Sequence, residues 1–172
     1  MTTTATATAD PEKIEALVGE LADALLNQYL TIGDLHGLKR ADYEVVYNLG
    51  YNQYNQGKYQ EAARSFIFLT FHNHLEPRYH KALGATLQML GQYERAIASQ
   101  ATALMLNAVD PEPMLRMGEC LIAMGNATDA IEMLEATRQL CAETGKHQAI
   151  GTRAQALLEI LSERTVRKEK KR

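Results

Sequence analysis

The sequence predicts an all-α protein: a solenoid of three stacked helix pairs, with an extra helix at each end. Three observations carry that prediction. Gly50, Gly84 and Gly118 stand 34 residues apart, and Gly57, Gly91 and Gly125 keep the same step. Ala62, Ala96 and Ala130 repeat with them, as do Leu49, Leu83 and Met117, while Tyr59 and Tyr93 have Ala127 as their third counterpart. Prolines in Glu76-Pro77 and Asp110-Pro111-Glu112-Pro113 fall where the second and third pairs would open, and the first turn is where a helix accepts proline.

A 34-residue period with this pattern is the tetratricopeptide signature, two antiparallel helices per unit. Gly50, Gly84 and Gly118 fall mid-helix, where glycine costs about 1 kcal/mol against alanine. The expected reason is close approach of the partner helix backbone, with Ala62, Ala96 and Ala130 as the small residues facing that contact. Gly57, Gly91 and Gly125 lie just past the first helix of each pair, where a left-handed turn suits glycine. Tyr59 and Tyr93 then plug the corner between the helices.

In chain order, residues 1–9 are Thr/Ala low complexity and read as a disordered head, without the basic region and apolar core of a secretory signal. Asp10-Pro11 opens a helix, and Ile14, Leu17, Val18, Leu21 and Leu25 follow at helical spacing as one apolar stripe. That stripe belongs to no repeat, so it either packs back on the first repeat or pairs with a second copy of the chain. Thr31 to Arg40, with Gly33 and Gly37, reads as a linker, giving an N-terminal segment over 10–41. The repeats occupy 42–144, with helices near 42–55 and 59–73, 77–90 and 93–107, 111–124 and 127–143. Residues 145–172 give a capping helix with Ile150, Ala154, Leu157, Leu158 and Leu161 on one side, ending in a basic tail.

Length and composition fit one soluble domain with a proper core: 172 residues, 46% hydrophobic and 23% charged. No apolar run is long enough to span a membrane, so no membrane insertion is expected. Residues 164–172 carry six basic and one acidic residue, net +5, which against −3 overall leaves −8 on the other 163. An acidic body argues against direct nucleic-acid binding. The basic tail reads either as a solvated helix end favoured by the helix dipole or as a contact for an acidic partner or membrane surface.

The sequence holds no catalytic constellation, and an enzyme is not expected. His72, His74 and His80 lack metal-ligand spacing and read as helix-end or surface residues. Every paired glycine is absorbed by the repeat, leaving no phosphate loop and no nucleophile elbow. Cys120 and Cys141 sit inside helical patterns and read as reduced thiols of a cytoplasmic protein. The methionines read mostly as core filling. No cofactor and no metal is implied.

In such a stack the first helix of each pair lines a concave wall. Its positions 2, 5, 9, 12 and 13 are Glu44, Tyr47, Tyr51, Tyr54 and Asn55 in the first repeat. They are Arg78, Lys81, Ala85, Gln88 and Met89 in the second, and Glu112, Leu115, Glu119, Ile122 and Ala123 in the third. Three tyrosines on one exposed face need a reason: a wall for an extended peptide, or packing beneath the N-terminal helix. Two or three apolar anchors at about 1.5–3 kcal/mol each, with backbone hydrogen bonds, reach micromolar binding at about −8 kcal/mol. Capture of a C-terminal carboxylate would want converging lysines and asparagines, and only Lys81 and Asn55 are placed for it in the first two repeats.

Over about residues 30–142 the sequence resembles the class II chaperones of type III secretion, the LcrH/SycD family. The resemblance rests on Leu49-Gly50-Tyr51-Asn52-Gln53-Tyr54-Asn55-Gln56-Gly57-Lys58-Tyr59-Gln60-Glu61-Ala62 and on Leu83-Gly84-Ala85 with Gly91-Gln92-Tyr93. Pro111-Glu112-Pro113 and Gly118-Glu119-Cys120-Leu121 extend it. It implies a bacterial cytoplasmic chaperone, a virulence factor that holds an N-terminal segment of hydrophobic translocator proteins in its groove. It also implies that Tyr47, Tyr51, Tyr54 and Tyr59 match aromatic positions of the family's first repeat, with Tyr79, Lys81 and Gln88 in the second-repeat wall. Dimerisation through the N-terminal region, here Ile14 to Leu25, and coactivation of a transcription factor are further implications. The rival readings are a general repeat adaptor for another partner's peptide, and a transcriptional co-regulator.

Overall fold

A computed structural model describes residues 10–27 and 30–169; the expected disordered head at 1–9 lies outside the described residues. Helices follow one another as α1 (Pro11–Asn27), α2 (Ile32–Leu35), α3 (Arg40–Asn55), α4 (Tyr59–His72), α5 (Pro77–Met89), α6 (Tyr93–Leu106), α7 (Glu112–Ala123), α8 (Ala127–Thr144) and α9 (Gln148–Glu169), with no strand among the described residues. The all-α solenoid is therefore correct. The repeat helices begin and end within two residues of their expected limits, because their boundaries are written in local chemistry. The Glu76 carboxylate accepts from the Arg78 amide ahead of α5, and Asp110 Oδ1 accepts from the Glu112 amide at 3.0 Å ahead of α7. Gly57, Gly91 and Gly125 end the first helices at φ 75°, 71° and 81°, where a Cβ would be strained.

Each helix packs on the next from α3 to α9, and α3, α5, α7 and α9 also touch one another in series. Among the described residues α4, α6 and α8 make no such contacts with each other. The stack therefore closes up along its first helices and splays along its second ones, which gives it a concave side built from α3, α5, α7 and α9. One buried cluster holds Tyr43, Phe66, Leu69, Tyr79, Leu83 and Leu87. A second joins Leu115, Ala130 and Leu134 to Ala154 and Leu161 of α9. Ile150, Leu157 and Leu158 pack half-buried around it.

The reason for the mid-helix glycines differs from the expected one. A Cβ at Gly50 would meet the Phe66 ring at 2.9 Å, at Gly84 the Gln100 side chain at 2.5 Å, and at Gly118 Leu134 at 2.9 Å. Each glycine thus admits a large side chain sixteen residues on, rather than a bare helix backbone. Ala62, Ala96 and Ala130 are fully buried, one turn before those side chains, and the Ala130 carbonyl lies 3.8 Å from a Cβ at Gly118, behind Leu134.

The segment expected as a plain linker holds α2. Thr31 Oγ1 accepts from the Asp34 amide at 3.2 Å while Asp34 Oδ2 accepts from the Thr31 amide at 2.8 Å, a reciprocal cap. Gly33 is buried under Tyr43, where a Cβ would lie 1.6 Å from the phenol oxygen. Tyr43 in turn donates to the His72 carbonyl at 3.4 Å. A single helical turn has no periodicity to read, and only packing onto α4 reveals it.

α1 starts as expected, with Asp10 Oδ1 accepting from the Glu12 amide at 3.2 Å. Among the described residues it touches no other helix. Ile14, Leu17, Val18 and Leu21 stay exposed, Leu17 by 65%; the side chain of Leu25 lies outside the described ones. The described part of the stripe, Ile14 to Leu21, thus does not pack back on the first repeat. The side chains of the basic tail likewise lie outside the description. No described helix is long and apolar enough to cross a membrane.

Candidate functional site

On the concave side a hollow of about 380 Å³ is bounded by Tyr47, Tyr51, Tyr54, Phe66, Arg78, Lys81, Ala82, Ala85, Glu112 and Arg116. Residues 47, 51 and 54 recur at three- and four-residue spacing, so α3 puts them on one face. Tyr47 and Tyr51 stack with centroids 6.5 Å apart and planes 12° from parallel. Behind them Tyr47 rests on Phe66 at 5.8 Å and Tyr79 at 5.9 Å, and Tyr54 meets the edge of Tyr59 at 5.3 Å. Among the described residues α1 makes no contact with α3, so these tyrosines do not pack under it. Opposite, Ala82 and Ala85 leave space between the aromatic wall and α7, because neither carries a side chain long enough to fill it.

The floor is stitched from repeat to repeat by polar pairs. Arg78 forms a two-armed hydrogen bond with Glu44 and lies 4.4 Å over the Tyr47 ring, a cation–π contact. Lys81 Nζ donates to Asp110 Oδ2 and Glu112 Oε2, both at 2.8 Å. Gln88 Nε2 donates to Glu119 Oε2 at 3.0 Å, and Arg153 of α9 approaches Glu119 Oε1 at 2.6 Å, as an ion pair rather than a directed hydrogen bond. Burial alone would pull the Lys81 pKa down; its two carboxylate partners outweigh this and raise it. Burial pushes the Tyr47 and Tyr79 phenols up, so both are neutral at physiological pH.

The Arg78 hydrogen bond holds the Glu44 carboxyl below its ordinary value of 4.5. A depressed folded-state pKa gives a contribution present above the unfolded value and lost as pH falls through the folded one. Glu44→Gln should therefore lower Tm slightly at pH 7, and the difference should shrink towards zero as melts are repeated below about pH 4.

Of the expected groove residues, Tyr47, Tyr51, Tyr54, Arg78, Lys81, Ala85 and Glu112 line the hollow. Glu44, Gln88 and Glu119 belong to the polar stitching beside it. Tyr59 stands behind Tyr54 at the helix corner. Tyr79 and Leu115 are core residues, 3% and 5% exposed, and Ile122 packs against the second cluster. For Leu115 the cause is α9, whose Ala154 and Leu161 share its cluster and cover that side of α7. Position counting missed Phe66, Ala82 and Arg116. Phe66 had a readable signal, since Gly50 and Phe66 are spaced like Gly84 and Gln100 and like Gly118 and Leu134.

The histidines fill ordinary roles. His72 Nδ1 lies 2.9 Å from the Phe68 carbonyl, and His80 Nε2 donates to the His74 carbonyl at 2.9 Å. No group of three His, Cys, Asp or Glu side chains among the described residues could hold a metal. Cys120 and Cys141 are free and buried, and burial lifts the Cys120 thiol to about 11, far from thiolate at neutral pH.

A curved stack of three helix pairs with a capped end defines a tetratricopeptide-repeat solenoid, and the tetratricopeptide repeat pattern matches residues 44–72 and 87–140. Low calcium response locus protein H of Yersinia pestis is 30% identical over 131 residues, covering 76% of this chain and 78% of that protein. The type III secretion translocator chaperone SycD of Yersinia enterocolitica superimposes with a TM-score of 0.71 at 31% identity, over 76% of this chain and 97% of that one. PcrH in complex with the chaperone binding region of PopD gives 0.71 at 33% identity, over 75% and 97%. The chain belongs to this LcrH/SycD family of class II type III secretion chaperones, whose members are not enzymes.

Proposed function

We propose that the chain is a cytoplasmic type III secretion chaperone that holds an extended, N-terminal segment of hydrophobic translocator proteins in its concave hollow. The observation that carries this is the aromatic wall of Tyr47, Tyr51 and Tyr54 facing the space over Ala82 and Ala85. Support also comes from PcrH, described with the chaperone binding region of PopD. Arg78, Lys81 and Glu44 set the wall's position, and Gln88 and Glu119 close its far end. Residues 42–144 would hold the client, 145–172 would cap the stack, and 10–41 would serve association. Holding needs no nucleotide: apolar client surface is kept from water until export.

Co-expression with a membrane-active translocator tests this. The soluble amount of client should rise several-fold with the chaperone and fall back with the hollow's tyrosines replaced. No rise would leave a general adaptor or transcriptional co-regulator.

The free protein would be a homodimer through α1, because its stripe of Ile14, Leu17, Val18 and Leu21 is exposed and packs on no other helix among the described residues. Replacing Leu17 and Leu21 with Glu should turn a dimer into a monomer by light scattering. A wild-type monomer would remove that idea. Coactivation of a transcription factor would belong to the client-free state.

A further inference from the structure

Resting on the proposed client-holding role, we infer that Arg116 is a specificity residue that pairs with a carboxylate of the client segment, next to the side chain anchored against the tyrosines. Every other charge bordering the hollow is engaged at short range. Arg78 is held by Glu44, and Lys81 by Asp110 and Glu112. Arg116 alone among the cations lining the hollow lacks such a bond. It reaches Glu119 only at 3.7 Å and Glu112 only at 4.0 Å, beyond ordinary hydrogen-bond length. Both acids have closer partners: Lys81 at 2.8 Å on Glu112, and Gln88 at 3.0 Å with Arg153 at 2.6 Å on Glu119.

Arg116 is thus a guanidinium with unspent donors, 31% exposed, standing on α7 across from the aromatic wall. A planar fork of this kind matches a carboxylate in two-armed geometry, which a lysine would not. Neighbouring carboxylates hold the group in place without saturating it. An acidic client side chain would complete its hydrogen bonds, whereas a lysine there would set a second cation beside the Arg116 guanidinium.

The test is a positional-scanning library of acetylated decapeptides with a fixed central leucine, comparing Asp, Asn and Lys at each other position by fluorescence polarisation. Wild type should prefer Asp over Asn at one position by about five- to tenfold, the range of one partly exposed charge-assisted bond. Arg116→Gln should lose the preference, binding the Asp and Asn peptides equally. Arg116→Glu should favour Lys there. An acidic preference that survives in Arg116→Gln, or none at any position in wild type, would overturn the assignment. Failure of every leucine-bearing peptide to bind would instead count against the client-holding reading itself.

Discussion

Replacing Tyr47 and Tyr51 together with alanine should weaken client binding at least tenfold while far-UV circular dichroism stays helical. Each ring offers apolar surface to the hollow, and an aromatic anchor contributes about 1.5–3 kcal/mol when buried by a ligand. Loss of half that from each exceeds the roughly 1.4 kcal/mol that corresponds to tenfold. The two rings differ in what else they do. Tyr47 lies between Arg78, Phe66 and Tyr79, so Tyr47→Ala should also lower Tm. Tyr51 is 52% exposed and stacks on Tyr47, so Tyr51→Ala should cost affinity with little change in Tm. Titration calorimetry beside thermal melts separates the two effects. Unchanged affinity in the double variant would take the aromatic wall out of the binding site.

The second large effect concerns the repeat itself. Leu134 is fully buried, and Leu134→Ala should destabilise the protein by about 2–5 kcal/mol. Gly118→Ala drives a methyl to within 2.9 Å of Leu134; overpacking costs about 1–3 kcal/mol, partly offset by about 1 kcal/mol of better helix propensity. The next neighbour of that methyl, the Ala130 carbonyl, is at 3.8 Å, an ordinary contact. With both substitutions the methyl enters space that Leu134 has vacated. The double variant should therefore be more stable than the sum of the singles predicts, by about 1 kcal/mol or more, in urea melts. Strict additivity would mean that Gly118 is not there to admit Leu134.

How far the site could be read ahead follows from the same geometry. Counting positions along α3 placed Tyr47, Tyr51 and Tyr54 together, because a straight helix fixes which residues share a face. The same count placed Glu112 at the hollow but went wrong at Leu115, which lies in the core in one cluster with Ala154 and Leu161 of α9, a helix outside the period. It also missed Arg116 and Ala82. Their place at the hollow depends on how α5 and α7 are rotated against α3, and no local rule sets that rotation. Phe66 was within reach through its sixteen-residue offset from Gly50, a spacing the glycines alone do not reveal.

The sequence by itself determined the all-α repeat, the helix limits and the left-handed turns at Gly57, Gly91 and Gly125, since each depends on contacts a few residues apart or on a period repeated three times. Only the tertiary structure decided which side chain each mid-helix glycine admits, that Thr31 to Arg40 folds into a docked turn, that α1 packs on no other helix among the described residues, and that Arg78, Lys81 and Glu119 are engaged while Arg116 is loosely held. Those outcomes depend on how helices distant in sequence press together. A close approach of that kind is set by the volumes and charges of every partner at once, not by the pattern along any one of them.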